Sequence, residues 1–518
     1  MSMKHSKNYL LLGILILCSN IVSAQANQVL FDNIYYQRFD KVLYNSGTDF
    51  HPQVKPYYQN QLNQISGYDS LYRYFFNPKS SNQSDTSKHQ ISIIASPILN
   101  AQVGNENWQE LGAGVYLTAN YNKKLSAGLQ YNYNSSLFPQ FLDTFIQQKN
   151  VVPGQGYAFE KNGRYTYQNT AAYLAYQPSK YFLFELGNGK HFIGDGYRSM
   201  MLSDNANNNP YFKINTKVWK LQYTNLFMQL DDVRFSNGNR ADFKKKYAAI
   251  HYLSWNLSKR LNVGFFESIV FETRDSTAAF YYDVNYLNPL IFYRPVEYSI
   301  GSGDNALMGI NARYRLFNWL VVYGQAVIDE FLLKEIRARN GWWANKYALQ
   351  LGMKWLDLFS IKNLSFQSEY NFVRPFTYTH SSVLQNYGHF NQPLAHPQGA
   401  NFEENVMVLR YYYKRFGVEL KSVRTFYGDD EATIYFGRDI YRSYRDRPAE
   451  YGNYMGQGIA TNLNCLDFKV DYLIVPSMRL SLFAAYSNRQ LKNIYNNQNI
   501  HFVMGGIRTA IGNRYYDF

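Results

Sequence analysis

The sequence predicts an all-β protein, a transmembrane antiparallel β-barrel of about 16 to 18 strands, with 18 favoured. Three observations predict this fold. Side chains alternate between apolar and polar along segments of about ten residues, short and long connections alternate, and aromatic residues make up 18% of the chain. Hydrophobic residues form 46% of the 518, yet the mean hydropathy is only −0.41. Beyond the first two dozen residues no apolar run approaches the roughly 20 residues of a membrane-spanning helix, which excludes a helical membrane protein.

Residues 1–24 are predicted to be a signal peptide. Two lysines precede an apolar run at residues 9–18, and residues 22–24 (VSA) provide the small side chains accepted at a cleavage site. The run is too short for a retained membrane anchor, and the bulky leucine before Cys18 argues against a lipoprotein. Cleavage would leave Cys465 as the one cysteine, so no intrachain disulfide is expected.

Residues 25–89 are predicted to form a periplasmic segment that could plug the barrel. They lack the two-residue period, and residues 29–44 could form a short amphipathic helix. Residues 80–88 have the composition of a flexible joint. The barrel itself is assigned to residues 90–518.

The period of two is clearest at residues 111–122. Their odd positions are leucine, alanine, valine and tyrosine, whereas glycine, threonine and asparagine dominate the even positions. Residues 125–134 repeat the pattern after Lys123-Lys124, which predicts a hairpin. The same alternation recurs at residues 306–315, 347–355, 364–372, 466–472 and 478–486. Because successive side chains of a strand point to opposite faces, one face would contact lipid and the other the lumen.

The connections between predicted strands fall into two classes. Tight ones lie at residues 123–124, 177–180, 414–415 and 475–477, and long ones at residues 135–164, 273–305, 330–345, 374–403 and 426–457. Outer-membrane barrels have short periplasmic turns and long extracellular loops. The rhythm fails between residues 187 and 247, where one strand is missing from the count; residues 198–203 are the candidate.

The final residues, Tyr515 to Phe518, are predicted to end the last strand. A terminal aromatic residue there resembles the signal that the barrel-insertion machinery reads. In hydrocarbon every backbone amide must be paired, so the predicted sheet must close on itself.

The long connections carry motifs that resemble a known family. The motifs are GDGYRSMMLSDNANNNPYFKIN (194–215), NPLIFYRPVEYSIGSGDNALMG (288–309), DEFLLKE (329–335), NGWWANKY (340–347), NFVRPFTYTH (371–380) and NYGHFNQPLAHPQGANF (386–402). They resemble the Wzi capsule-assembly family, and within it the gliding-motility-associated Rem B branch most closely. The resemblance implies an 18-stranded outer-membrane barrel with helices at its periplasmic end and a surface role in attaching or assembling polysaccharide. Residues 191–196 (HFIGDG) stand where the capsule branch has a paired-tryptophan Gly-Pro-Gly turn, so glycan specificity is not carried over.

Aromatic and cationic loop residues are the predicted glycan contacts. Aromatic faces stack on sugar rings, and Arg or Lys can bind glycan carboxylates. The predicted contacts are Arg294, Trp342, Trp343, Lys346, Arg374 and Tyr378. The alternative is that these residues lock the folded loops over the barrel mouth or belong to an interfacial aromatic girdle.

Other chemistries have weaker signals. His380, His389 and His396 could converge on a metal, Asp195, Asp204 and Asp304 on calcium, and two acidic clusters, Asp329-Glu330 with Glu335 and Asp429-Asp430-Glu431, could supply a glycosidase pair. Solvated or paired loop residues are more typical in each case. Residues 301–306 match G-x-G-x-x-A, but a strand rather than a helix follows. We therefore expect no metal, no cofactor and no enzymatic activity.

The predicted function is that of an outer-membrane barrel, with loops exposed at the cell surface, that binds or organises surface polysaccharide and could support gliding motility or adhesion. The predicted signal peptide carries two lysines and no acid, so its removal would change the net charge from +14 to +12, which favours anionic surface polysaccharide, lipopolysaccharide or outer-membrane lipid as partners rather than nucleic acid. Motility or secretion machinery is a further candidate partner. One alternative is a porin, with Arg313, Arg315, Lys354, Glu369 and Lys469 lining its pore. Another is a surface enzyme acting on glycans.

Overall fold

The protein is a closed antiparallel barrel, seen in a computed structural model that describes residues 27–47, 49–76, 91–122, 124–272, 284–289 and 303–518. Within these ranges eighteen long strands form the ring, which confirms the predicted fold class and the favoured count. The predicted signal peptide and the predicted joint at residues 80–88 lie outside the described residues. Among the described residues, no helix is long and apolar enough to span a bilayer.

The strands are numbered in chain order. β1 to β18 are Ile91–Gly104, Gln109–Tyr121, Leu125–Leu137, Arg164–Tyr176, Phe182–Gly189, Asn209–Val218, Leu221–Asp232, Lys244–Asn256, Leu261–Glu272, Asn305–Phe317, Leu320–Glu330, Lys346–Leu356, Leu364–Val373, Phe402–Tyr413, Phe416–Asp429, Ile459–Val475, Leu480–Lys492 and Asn497–Thr509. Each pairs with its chain neighbour, and β18 returns to β1, where Arg508 faces Asn100 and Met504 faces Gly104. Because the ring is closed, every strand has two partners.

The remaining elements are short helices, 3₁₀ turns and short strand pairs. Helices α1 to α6 are Asn33–Tyr36, Asp40–Tyr44, Gln59–Asn63, Tyr68–Phe76, Gln140–Lys149 and Leu333–Ala338. Single 3₁₀ turns occur at Gln37–Phe39, Arg240–Asp242, Val284–Leu287, Leu358–Ser360, Val383–Gln385, Tyr444–Asp446 and Pro476–Met478. Short strand pairs join Val54–Lys55 to Phe192–Ile193, Val151–Val152 to Gly156–Tyr157 and Gly388–His389 to Gln392–Pro393, and Phe159–Lys161 pairs antiparallel with the start of β4.

The wall sorts its side chains as the alternation predicts. On β12, Leu349 and Leu351 are exposed on the outside, whereas Gln350 and Lys354 point into the lumen and are buried. The outer surface is therefore apolar and the inner surface polar, as expected for strands between lipid and lumen. The connections sort by length as well, so we call the two rims the short-turn end and the long-loop end.

The strand missing from the sequence-based count is β6, Asn209–Val218. Residues 198–203, the predicted candidate, are not a strand. They belong to the connection between β5 and β6, which folds into the lumen, where Arg198 is 1% exposed. The main-chain N–H of Arg198 donates to the inward-facing Glu369 of β13, and its guanidinium bonds Glu404 of β14. These partners account for its burial inside the ring rather than in its wall.

The described residues of the range 27–76, which are 27–47 and 49–76, lie across the short-turn end and are called the plug. Arg38 donates to the main-chain oxygen of Lys414, Lys41 pairs with Asp357, and the Asn60 amide donates to Gln177. These three partners belong to turns between different pairs of strands. A buried aromatic cluster of the plug, which includes Phe39, Tyr68 and Phe75, also packs on the wall residues Tyr412 and Leu473. The plug therefore obstructs this rim.

The segment after the last strand corrects a prediction. β18 ends at Thr509, and residues 510–518, here called the inward segment, turn into the lumen instead of extending the wall. The Tyr515 hydroxyl donates to Asp204 of the inward β5–β6 connection. Asp517 pairs with Arg198 and with Lys421. The prediction that Tyr515 to Phe518 end a wall strand was wrong, because these residues find polar and ionic partners inside the barrel.

Candidate functional site

An open cleft of about 570 Å³ lies at the long-loop end and is called the loop cleft. Its lining comes from α5, the β13–β14 connection, the β15–β16 connection and the tops of β17 and β18, together with Phe518 of the inward segment. Aromatic rings, amides and guanidinium groups dominate this lining. The aromatic members are Phe141, Phe145, Tyr427, Tyr441 and Phe518, the amides include Asn391, Gln392, Gln398, Asn493 and Gln498, and the arginines are Arg438, Arg442 and Arg489.

Helix α5 forms one side of the loop cleft. Leu142 and Ile146 are buried against the barrel, which fixes the orientation of the helix. Phe141 and Phe145, four residues apart, share the neighbouring face, pack against the same apolar cluster and line the cleft. The ring of Phe145 lies 5.0 Å from the ring of Phe518, so the inward segment closes the floor of the cleft.

The β15–β16 connection forms the facing side. The Asp430 carboxylate accepts main-chain N–H groups from Phe436, Asp439 and Arg438, at 2.6, 2.8 and 3.4 Å. These bonds wrap the chain around one carboxylate and hold the loop in a fixed shape. Burial raises the pKa of Asp430, although the three N–H donors act in the opposite direction.

Ion pairs set the charge of this wall. The Arg438 guanidinium donates to Asp429 at 2.7 Å and lies 3.6 Å from the ring centre of Tyr427. Asp439 accepts from Lys149 of α5 at 3.3 Å, which ties the two sides of the cleft together. Burial acts to raise the pKa of the Asp439 carboxyl, but the Lys149 ammonium, the Tyr441 N–H and the Arg438 guanidinium together outweigh it, and the pKa is lowered.

Two arginines of the cleft have no acidic partner. Among the described residues, neither Arg442 nor Arg489 forms an ion pair. Arg442 lies over the ring of Tyr435 at 4.8 Å and donates to the main-chain oxygen of Glu431. Arg489 lies 4.7 Å from the ring centre of Phe141 and donates to the main-chain oxygen of Phe518. Both leave part of a guanidinium's five N–H donors for a ligand carboxylate.

Three of the predicted glycan contacts hold the loops in place instead. Tyr378 is fully buried and donates its hydroxyl to the main-chain oxygen of Met200, and Lys346 is fully buried beside Asp329 at 3.1 Å. Arg374 donates to the main-chain oxygen of Asn453 at 2.8 Å. These contacts are the ones that the loop-locking alternative describes, and a role of the three residues in glycan binding stays a prediction.

The two tryptophans remain partly exposed but do not line the loop cleft. Trp343 donates its indole N–H to Glu450 and lies between Arg447, 4.1 Å from its ring centre, and Tyr444, at 4.6 Å. Trp342 packs beside Trp343. Their role as glycan contacts stays a prediction. Arg294 lies outside the described residues.

The histidines and acids singled out in the sequence have separate partners. His389 bonds Asp231 and Asn208, His396 bonds Glu404, and His380 accepts from the N–H of Ser382. Within the described ranges, no group of three or more His, Cys, Asp or Glu side chains is placed to hold a metal ion. Asp204 is bonded by Asn513 and Tyr515, and Asp304 by Tyr286 and Gln385.

Sequence reasoning missed the residues that line the cleft. One local signal could have found α5: Phe141 and Phe145 lie four residues apart and alternate with Leu142 and Ile146, which is a helical rather than a strand period. Arg489 and Phe518 meet only because the inward segment turns back through the lumen. No pattern near either residue indicates that contact.

Comparisons with known proteins bear on the fold. Neither protein-family models nor curated protein sequences match this chain. Among solved structures, Wzi of Escherichia coli, an outer membrane protein involved in group 1 capsule assembly and a carbohydrate-binding β-barrel, superposes with a TM-score of 0.58 at 11% identity, over 94% of this chain and 100% of Wzi. The fold is Wzi-like. OccAB2 of Acinetobacter baumannii gives a TM-score of 0.43 at 10% identity over 81% of this chain and 97% of its own. OprD of Pseudomonas aeruginosa gives 0.41 at 8%, over 82% and 96%.

The Wzi-like barrel thus presents a cleft with aromatic floor and walls, rows of amides and two arginines free of ion pairs. Aromatic rings can stack on the apolar faces of sugar rings, amides can bond hydroxyls, and guanidinium groups can bind carboxylates in a bidentate manner. The acids of the cleft are held by Arg438, Lys149 or main-chain N–H groups. This chemistry suits binding of an acidic saccharide.

Proposed function

We propose that the protein is an outer-membrane barrel whose loop cleft binds an anionic polysaccharide at the cell surface. The Wzi-like fold, the apolar outer face and the net charge of +14 support the location and the charge of the ligand. The cleft would lie on the outer side, since outer-membrane barrels carry their long loops there. Attachment or assembly of a capsule or exopolysaccharide is the role that follows from such binding.

The observation that carries the proposal is that protein segments obstruct the lumen, leaving a cavity of about 230 Å³ that Lys469 lines, while the loop cleft is open. The porin hypothesis needs a water-filled pore lined by polar wall residues. Instead Arg313 faces Asp195 of an inward connection, Arg315 donates to Asn45 of the plug and Lys354 pairs with Asp40 of the plug. Glu369 accepts the N–H groups of Tyr197 and Arg198. Wall residues that hold protein segments inside the ring favour a binding protein over a channel.

The charge of the ligand follows from the unpaired arginines. A polysaccharide with uronic acid or similar carboxylates could place them against Arg442 and Arg489 while its rings stack on Phe145 or Tyr441. Hydrogen bonds to charged groups contribute about 1.5–3 kcal/mol each, so one arginine should account for at least roughly tenfold in affinity. A neutral glucan would lack that contribution.

Binding of the host's acidic polysaccharide to the detergent-purified protein tests the proposal, with dextran as the neutral comparison. We expect Arg442→Ala and Phe145→Ala each to weaken binding roughly tenfold. Arg445→Ala is the matched control, because Arg445 is exposed in the same connection but does not line the cleft. Equal affinity of all three variants, or equal binding of dextran, would refute the cleft as the site.

Single-channel recording in planar bilayers separates binding from transport. A barrel filled by its plug and inward segments should show small or no steady current. Large, steady currents from the purified protein would instead establish the porin hypothesis.

Two narrower roles are also proposals. We expect no release of reducing ends from the bound polysaccharide, since the acids of the cleft are engaged by cations or main-chain donors; sustained release that Asp429→Asn abolishes would show an enzyme. Support of gliding motility, as in the Rem B branch, rests on the loop motifs alone. A deletion strain that has lost surface polysaccharide but spreads normally would refute a role in gliding motility.

A further inference from the structure

The β11–β12 connection carries an exposed apolar cluster. Phe331, Leu332, Leu333 and Ile336 are 43%, 47%, 50% and 40% exposed, within six consecutive residues. Leu333 and Ile336 belong to α6 and are three residues apart, so they share one face of the helix. Burying such side chains is favourable, so their joint exposure in a folded loop indicates a partner.

The cluster lies at the margin of the apolar wall. β11 ends at Glu330, and α6 begins three residues later at Leu333. The next strand, β12, carries Leu349 and Leu351 on its outer face, and both are exposed. The helix therefore stands where the wall leaves the hydrocarbon, at the long-loop end.

Cations accompany the apolar residues. Lys334, Arg337 and Arg339 are exposed, and within the described part of the chain none of them forms an ion pair. Glu335, the single acid of α6, accepts from the Asn340 amide. The helix thus presents three unpaired positive charges beside its apolar side chains.

The loop behind the helix is held firmly. The Leu332 N–H donates to Asn345, and the Gly452 N–H donates to the main-chain oxygen of Asn340. The Tyr454 hydroxyl donates to the main-chain oxygen of Arg339. These bonds tie α6 to the β15–β16 connection, so the exposed side of the helix has a fixed position.

We propose that residues 331–339 form an interfacial contact with the outer leaflet, in which Phe331, Leu333 and Ile336 enter the acyl region and Lys334, Arg337 and Arg339 bind lipid phosphates. A short amphipathic helix with cations beside its apolar face is suited to a bilayer surface bearing anionic head groups. The partner is a phosphorylated lipid, because a single lipid molecule offers both the hydrocarbon and the phosphate that this surface needs. The inference rests on the proposed outer-membrane location.

Fluorescence quenching by nitroxide-labelled lipid tests the apolar half. The chain without the predicted signal peptide carries Cys465→Ala, which removes the buried thiol, and Leu333→Cys labelled with an environment-sensitive dye. It is placed in vesicles of phosphatidylcholine and lipid A. Leu351→Cys on the outer face of β12 is the membrane control, and Asp446→Cys in an exposed loop turn is the aqueous control. We expect residue 333 to be quenched as residue 351 is. Quenching at the level of residue 446 would overturn the proposal.

Binding of lipid A, followed by native mass spectrometry, tests the charged half. Each Lys or Arg near an anionic surface contributes about fivefold, so the triple change Lys334→Ser, Arg337→Ser and Arg339→Ser should weaken lipid A binding roughly a hundredfold. An unchanged affinity would show that these three cations do not bind lipid phosphate. If residue 351 is also unquenched, the outer-membrane location itself fails; if it is quenched and residue 333 is not, only this inference fails.

Discussion

The Arg198 guanidinium lies 2.9 Å from the Asp517 carboxylate, with both side chains buried inside the barrel. Arg198 comes from the β5–β6 connection and Asp517 from the inward segment, which are 319 residues apart in the chain. Glu404 bonds the same guanidinium, and Lys421 pairs with the same aspartate at 2.7 Å. The pair therefore holds a long-loop segment and the last segment of the chain to each other and to the wall.

Asp517→Asn should destabilise the protein. The change leaves Lys421 and Arg198 buried with one fewer negative partner, and removing one member of a buried ion pair costs about 3–5 kcal/mol. We expect a lower urea concentration at the unfolding midpoint of the detergent-purified protein. Asp446→Asn, in an exposed turn, should leave the midpoint where it is. Coincident midpoints for both variants would show that the pair contributes nothing.

Gly428→Ala should disturb the loop cleft. A methyl group at this position of β15 would overlap the main-chain oxygen of Gln457 and press on Gly456, so backbone must move. Overpacking of this kind costs about 1–3 kcal/mol. We expect faster proteolysis within the β15–β16 connection and weaker polysaccharide binding. Gly303→Ala, where a methyl group meets open space, is the control; equal proteolysis of the two variants would count against the packing argument.

Acid should loosen the inward connections. His389 accepts the Asp231 N–H at Nδ1 and donates from Nε2 to the Asn208 carbonyl, so a second proton would break the first bond. Burial lowers the pKa of His389 from its ordinary 6.5 to about 3. The unfolded chain thus binds a proton at higher pH than the folded one, and stability is full above about 6.5 and falls as pH drops towards 3.

We expect the melting temperature of the purified protein to fall between pH 6.5 and pH 4, and His389→Gln to flatten that decline. Burial also lowers the pKa of His380 to about 4, so a residual slope should remain in the variant. His501→Gln, on the exposed side of β18, is the control. A pH profile of His389→Gln that matches the unaltered protein would contradict the assignment.

Arg38→Ala should release part of the plug. Arg38 pairs with Asp471, donates to the main-chain oxygen of Lys414 and lies 4.3 Å from the ring centre of Tyr412. Losing these buried contacts should raise amide hydrogen exchange across residues 27–76 and leave the long-loop end unchanged. Lys41→Ala is the matched control, because its pair with Asp357 is half exposed and such pairs are worth about 0–1 kcal/mol. Equal amide hydrogen exchange in the two variants would show that Arg38 does not hold the plug against the barrel.

The wall could be predicted because its pattern is local. The alternation on β12, with leucines outside and Gln350 and Lys354 inside, is read directly from adjacent residues. Sequence reasoning missed β6 because both of its faces carry aromatic side chains. Tyr211 faces the lumen and the adjacent Phe212 faces outward, so the residues do not alternate between apolar and polar there. Because aromatic side chains cover both surfaces of a plugged barrel, residue type alone does not identify the side that faces lipid.

The candidate site could not be predicted in the same way. Tyr378 and Lys346 belong to residue types that bind sugars, and nothing adjacent to them indicates that their connections fold inward. Met200, which bonds Tyr378, lies 178 residues away in the chain, whereas Asp329 meets Lys346 across the pairing of β11 with β12. The cleft likewise needs Phe518 to cross the lumen and meet Phe145. Such contacts depend on the whole topology.

The cylinder has two junctions weaker than the rest. β1 meets β18 through five residue pairs, from Asn100 with Arg508 to Gly104 with Met504, and β4 meets β5 through five, from Ala172 with Asn188 to Tyr176 with Phe184, whereas β1 meets β2 through thirteen. Since each pair adds hydrogen bonds to the ladder, heat should part the wall along one of these two lines first. The resulting open sheet would expose two long edges, and each edge could pair with another chain. We therefore expect the heated protein to aggregate rather than to unfold without aggregation.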